Sequence, residues 1–197
     1  EDAERLIAEL TAEPAGPVTV TGIEKKKENK NAPLLYNLAE LQNDCSKYFK
    51  ISPDETLRIV QELYEKKMTT YPRTDARVLS TAVAKEIHKN IGGLRSYALA
   101  TPFAKEVLEQ GTYKNIAKTR YVNDKQITDH YAIIPTGQGL NNLAGLAPTA
   151  AKVYEVIVRR FLSIFYPPAV YQKFSLAVKV KEENFFASFK VLVQEGY

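Results

Sequence analysis

Cysteine is almost missing from this 197-residue chain, where Cys45 stands alone. One thiol excludes an internal disulfide and a cysteine-rich zinc site, and it fits a reducing compartment. No run of 18 apolar residues occurs, so the sequence holds no membrane-spanning helix. There is no Asp-x-Asp pair, and Asp44, Asp54, Asp75, Asp124 and Asp129 follow no metal-site spacing. A GxxxxGK phosphate loop and serine-hydrolase spacing are also missing. Methionine occurs once, at Met68, and the chain starts at Glu1 and stops in the strand-like "FKVLVQEGY". Together the two ends lead us to expect a piece of a longer polypeptide.

What is present is ordinary globular material. Hydrophobic residues make up 45% and charged residues 25%, a balance that fills a core in one large domain or two small ones. The net charge of +4 is compatible with a polyanion partner. Lysines group at Lys25, Lys26, Lys27 and Lys30 and again at Lys66 and Lys67. Arg73 and Arg77 come next, then Lys114, Lys118, Arg120 and Lys125. Each group also reads as a solvated face. Tyr64, Tyr71, Tyr113 and Tyr121 interleave with them, and cation plus aromatic is what a single nucleic-acid strand needs.

Periodicity divides the chain. Residues 1–10 read as a helix end, and "GPVTVTGIE" alternates as a strand. "KKKENKNAP" breaks the alternation and reads as a linker or an exposed turn. From Asn31 the period is helical. "APLLYNLAELQNDC" opens near Pro33 with Leu34, Leu38 and Leu41 on one face. "SPDETLRIVQELYEKK" starts with a Ser52 cap, Pro53 in the first turn and Glu55 completing a capping box. Its apolar face is Leu57, Val60, Leu63 and Tyr64. Ser80 caps a helix that stops at Gly92 and Gly93. Residues 101–110 form a short helix, and 148–165 a long one ended by Pro167 and Pro168. The tail alternates again from Phe174 to Val193 around "EEN", a hairpin that pairs with the Val18 strand. The expectation is an α+β fold in which strands from both chain ends enclose a helical insertion.

One stretch of the insertion carries chemistry, "TTYPRTDARVLS". Pro72 disfavours the helical conformation at Tyr71, so the tyrosine sits in an extended piece after a helix. In such a piece Arg73 points the same way as Tyr71. A phenol titrates near pH 10, about three units above neutrality, and is a poor nucleophile until a cation favours its anion. A guanidinium does this and also holds a phosphate oxygen. Thr74 and Asp75 are placed to cap the next segment or to bond a substrate. On spacing alone, a Tyr-Pro turn beside a surface Arg-Asp pair remains open. In "TDHYAIIPTG", His130 beside Asp129 suits phosphate binding or proton transfer, and a satisfied loop histidine is the plain alternative.

These stretches have a family likeness. "TTYPRTDARVLS" resembles the active-site signature of type IA DNA topoisomerases, most closely the topoisomerase III branch. "DHYAIIPTG" resembles a second motif of that family, about sixty residues downstream as here. "APLLYNLAELQ" and "VRRFLSIFYPPAV" are similar to its flanking segments in the same order, so the resemblance spans residues 1–197.

The resemblance implies the central part of the type IA toroid: a β-rich hinge domain over 1–30, a helical domain with the catalytic tyrosine over 31–153, and the returning hinge over 154–197. It implies that Tyr71 attacks a phosphodiester of single-stranded DNA, leaving a 5′-phosphotyrosine and a free 3′-hydroxyl. Strand passage and resealing complete the cycle without ATP. Arg73 would hold the scissile phosphate, with Thr74, Asp75, Arg77 and His130 at the DNA. Magnesium belongs to the complete enzyme and to its Toprim domain, which nothing here matches, so no metal is expected in this chain. The partners implied are single-stranded DNA and the Toprim domain of the same polypeptide, in bacterial cytoplasm and away from membranes. This stretch alone is expected to bind single strands weakly and not to relax supercoiled DNA. Where the family often has a second histidine, this chain has Tyr131, to which no role is carried. The competing readings are a non-catalytic single-strand-binding module, a tyrosine recombinase or type IB enzyme leaving a 3′-phosphotyrosine, and a purely structural domain.

Overall fold

The computed structural model describes residues 2–12 and 17–197. The fold is α+β, and it separates into two units. One comprises residues 1–31 and 168–196, the other residues 32–167 with Tyr197.

The first unit holds helix α1 (Asp2–Thr11) and three strands, β1 (Val18–Lys30), β2 (Ala169–Val180) and β3 (Glu183–Gln194). The sheet order is β1-β2-β3, antiparallel throughout. β1 runs against β2 from Val18↔Val180 to Lys30↔Ala169, slipping register once between Val20 and Gly22. The segment from Lys25 to Lys30, expected as a linker, is therefore strand. Its charges are accommodated because every residue there is exposed. The hairpin turn falls at Lys181 and Glu182, overlapping the expected "EEN" only at its first residue. On one face Phe174 stacks on Phe189 with ring centroids 5.0 Å apart.

The second unit is helical: α2 (Leu38–Phe49), α3 (Pro53–Glu65), α4 (Thr81–Gly93), α5 (Thr101–Gln110) and α6 (Pro148–Ser163). Caps set the starts. Ser52 accepts from the Glu55 N–H and Ser80 from the Val83 N–H, each at 3.1 Å, as the sequence predicts. The first of these helices starts later than expected, at Leu38. Asn37 caps it through the Glu40 N–H at 2.9 Å, while the Tyr36 carbonyl accepts from Ile133 N at 2.8 Å. Residues 33–36 are thus committed to a distant segment and not to a helical turn.

Leu41, Leu63, Ile87, Ile91, Tyr154 and Phe161 lie in one core, all with less than 2% of their surface exposed. Because α6 puts Val153, Ile157 and Phe161 into that core, the boundary on this side lies at Pro167/Pro168, not at 153/154. Arg160 of α6 ties the layers together. Its guanidinium bonds the Leu34 carbonyl at 2.9 Å and the Asp44 carboxylate at 2.9 Å, and lies 4.0 Å over the Tyr36 ring.

Candidate active site

α3 ends in a tight reversal that delivers the tyrosine. Lys67 adopts φ +60°, and the N–H groups of Lys67 and Met68 turn back to Tyr64 and Leu63 carbonyls at 2.8 and 2.9 Å. A non-glycine residue in that left-handed region carries strain, which is common beside functional sites. The Met68 side chain is then fully buried, and its backbone enters a short antiparallel clasp with the second motif.

The clasp joins residues 68–78 to residues 130–136. Thr136 N–H donates to the Met68 carbonyl and Thr70 N–H to the Ile134 carbonyl, each at 3.0 Å. The Thr70 hydroxyl donates to the Ala132 carbonyl and accepts from the Ile134 N–H, both at 3.0 Å. Thr74, 7% exposed, donates its hydroxyl to the His130 carbonyl at 3.0 Å and accepts from the Ala76 N–H at 3.1 Å. Ala132 N–H reaches the Val78 carbonyl at 3.0 Å. The two motifs, sixty residues apart in sequence, are a single backbone assembly.

Tyr71 projects from this clasp, half-buried, between two rings. His130 lies 4.4 Å away by centroid, tilted at 43°, and Tyr64 meets it edge-on at 5.4 Å and 80°. An open cleft of about 570 Å³ runs past them, lined also by Lys67, Thr70, Tyr131, Thr136 and Gln138. Burial raises the Tyr131 phenol above its ordinary value. The cleft thus combines aromatic faces and hydroxyls with one lysine and one acid, Glu65; the aromatic faces and hydroxyls are groups that contact an extended single strand.

The other expected residues fall around this centre in different ways. Arg73 is exposed, makes no hydrogen bond or ion pair among the described residues, and is not part of the cleft lining. Strand periodicity does not hold there, because the Thr74 N–H closes back onto the Pro72 carbonyl at 3.0 Å. Asp75 is exposed, and its carbonyl accepts from the Asn37 side chain at 3.1 Å. Arg77 turns to the protein: Nε donates to the Leu35 carbonyl at 3.2 Å, and Nη2 pairs with Glu40 at 3.1 Å. Tyr64, read from its helix position as apolar core, is 39% exposed and belongs to the cleft. The inward face of α3 is Thr56, Ile59, Val60 and Leu63, and Tyr64 lies at the edge of that face. Lys67, flagged in the sequence by its place between Tyr64 and Tyr71, joins the cleft, and so do Thr136 and Gln138, which have no sequence signal beyond their closeness to the second motif. Among the described residues no group of three or more His, Cys, Asp or Glu is arranged to hold a metal ion. No helix among them is long and apolar enough to cross a membrane.

Comparison with known proteins bears on this geometry. Residues 1–197 match a family model described as DNA topoisomerase. DNA topoisomerase 3 of Bacillus cereus is 37% identical over 182 residues, covering 91% of this chain and 24% of the relative. DNA topoisomerase 3 of Bacillus subtilis is 34% identical over 194 residues, covering 98% of this chain and 26% of the relative. The chain therefore spans about a quarter of the length of the curated relatives it matches. Among solved structures, full-length topoisomerase I from Thermotoga maritima superposes with a TM-score of 0.66 at 20% identity, covering 98% of this chain and 30% of that one. At that identity the likeness speaks for the fold.

Proposed function

The chain belongs to the DNA topoisomerase family, and from that premise we propose that it carries the nucleophile of a type IA, topoisomerase III-like enzyme. The observation that supports this most is the Tyr71–His130 pair, 4.4 Å between centroids, lining a cleft to which both motifs contribute. In the proposed reaction the Tyr71 phenol gives up its proton to solvent and its oxygen bonds to the phosphorus of a single-stranded DNA phosphodiester. The bond from phosphorus to the 3′-oxygen breaks, and that oxygen leaves as a 3′-hydroxyl after taking up a proton. The 5′-phosphate stays on Tyr71. Attack by the 3′-hydroxyl reverses the step after strand passage. One phosphodiester replaces another each time, so no ATP is needed.

The residues divide the work by their surroundings. Arg73, exposed and without a partner among the described residues, is the group we assign to the scissile phosphate. His130 sets the Tyr71 ring and faces the DNA. Thr74, Asp75 and Arg77 are assigned beside the DNA; Thr74 also holds the clasp through the His130 carbonyl, and Arg77 ties the same segment to Leu35 and Glu40. Magnesium is proposed for the complete enzyme, with the Toprim domain of the same polypeptide, in bacterial cytoplasm. No residue of this chain is assigned to it, and no step above runs through it.

The test is Tyr71→Phe in the full-length protein. The variant should bind single-stranded DNA as the parent does and form no covalent adduct. Adduct formation by the variant would overturn the assignment, and a 3′-linked adduct in the parent would overturn the class. The reading as a non-catalytic binding module predicts no adduct from the parent either. Residues 1–197 alone should not relax supercoiled DNA, and robust magnesium-dependent relaxation by them would refute the division of labour.

A further inference from the structure

The lysine run of β1 has a geometry that the cleavage reading does not use. In the sheet, Lys26 pairs directly with Lys173, and Lys173 directly with Lys190. Residues directly opposite share a face, so three lysines form a row across all three strands. Adjacent strands lie about 4.8 Å apart, so the row is roughly 10 Å wide. Like charges directly opposite destabilise a sheet. Two acids share the face with the row: Glu28 pairs with Lys190 at 2.7 Å, and Glu24 lies two residues before Lys26 on β1. The Glu28 carboxyl is held below its ordinary value, first by its hydrogen bond to Lys190 and then by the charges of Lys190, Lys173 and Lys26. The face remains in positive excess at the row.

Aromatic surface accompanies the charge. Tyr171 lies two residues from Lys173 on β2 and so on the same face, half exposed. Phe186, opposite Ala177, is on that face as well and is 81% exposed. An exposed phenylalanine and a row of repelling lysines are both unfavourable for a sheet in water and both suited to one ligand. Single-stranded nucleic acid presents phosphates and unpaired base faces together, whereas a duplex hides the faces.

We propose that the Lys26–Lys173–Lys190 row is a second contact surface for single-stranded DNA, with phosphates on the ammonium groups and bases against Tyr171 and Phe186. The proposal rests on the reading that the whole protein acts on DNA, but not on Tyr71 being its nucleophile.

The experiment uses the full-length protein in a Tyr71→Phe background, so that binding is read without cleavage. Lys26→Gln, Lys173→Gln and Lys190→Gln are combined, and affinity for a long single strand is measured against salt. Each phosphate contact contributes about 0.7 to the logarithmic slope on single strands, so three lost contacts lower it by about 2. Arginine at the same three positions should retain the parent slope. Restoring Tyr71 in the triple-glutamine protein should leave adduct formation on a short oligonucleotide unchanged, which separates this surface from the cleft. An unchanged slope would overturn the proposal. So would an equal loss from Lys85→Gln, Lys105→Gln and Lys152→Gln on the helical unit, or a loss confined to duplex DNA. If no adduct forms even in the parent while the slope still falls, the nucleophile assignment fails and this surface stands.

Discussion

The ring of Tyr71 lies 4.4 Å from that of His130, centroid to centroid, and the backbone of His130 is itself held by the Thr74 hydroxyl at 3.0 Å. The histidine is therefore fixed from the tyrosine's own segment. His130→Ala removes the ring that limits where the phenol points. In the full-length enzyme it should lower adduct formation by roughly 10²-fold, the usual cost of a misplaced reacting group. The readout is covalent adduct on a single strand labelled at its 3′ end. An unchanged rate would show that Tyr64 and the clasp suffice to place the phenol.

Thr70→Val keeps the shape of the side chain and deletes a hydroxyl that bonds both Ala132 and Ile134. Two partners in the clasp lose a bond each, for a cost of about 2 kcal/mol. Thr70→Ser should recover most of it. Denaturant unfolding of the three proteins decides the matter, and a valine variant as stable as the parent would refute the bridging role.

Gly93 and Gly92 make a matched pair. A Cβ on Gly93 would meet the Gly137 carbonyl oxygen at 2.1 Å, whereas one on Gly92 meets nothing within 4 Å. Gly93→Ala should cost more than about 2 kcal/mol and shift the segment after Pro135, since backbone must move to admit the methyl. Gly92→Ala should be neutral or slightly stabilising in its helix. Thermal unfolding of both variants is the comparison, and equal effects would contradict the close approach.

Alkaline stability carries a sign that can be worked out. Burial pushes the Tyr36 and Tyr154 phenols up, and for Tyr36 the hydrogen bond to Asp44 adds to it. The folded state thus favours the neutral phenol. Its contribution is complete below about pH 10, where unfolded tyrosine is also neutral, and is lost as the pH rises beyond that. Tyr154→Phe should flatten part of this decline. At pH 7 it should be neutral or stabilising, because the Tyr154 hydroxyl is buried without a hydrogen-bond partner among the described residues. Unfolding free energies from pH 7 to 11 test both statements, and a variant declining as steeply as the parent would rule out Tyr154 as a source.

How far the sequence reveals this arrangement depends on how local its causes are. Ser52, Pro53 and Glu55 mark a helix start with their own side chains, and the structure begins α3 there. The alternation from Phe174 to Val193 likewise marks a hairpin. Lys25 to Lys30 misleads because strand position there comes from pairing with β2, while the charges suggest a loop. Tyr36 is silent for the same reason, since its partner Ile133 is a distant residue. At the site, the proline after Tyr71 and the acid before His130 flag both residues, but not that their rings meet. The expected Tyr71–Arg73 alignment assumes extended backbone, and the Thr74-to-Pro72 closure removes that assumption. Tyr64 shows the limit of helical periodicity: the buried face of α3 centres on Thr56, Ile59, Val60 and Leu63, and the spacing of Leu57, Val60 and Tyr64 does not say which edge of that face is left open.

The clasp also has a consequence in time. Thr70 waits for Ala132, 62 residues later in the chain. At a synthesis rate of about 5–20 residues per second, the tyrosine's segment precedes its partner by roughly 3–12 s. In that interval α4 and α5 fill the gap, and Met68 has no completed core to enter. Tyr71 is thus positioned late, by a closing contact that waits on the helices between.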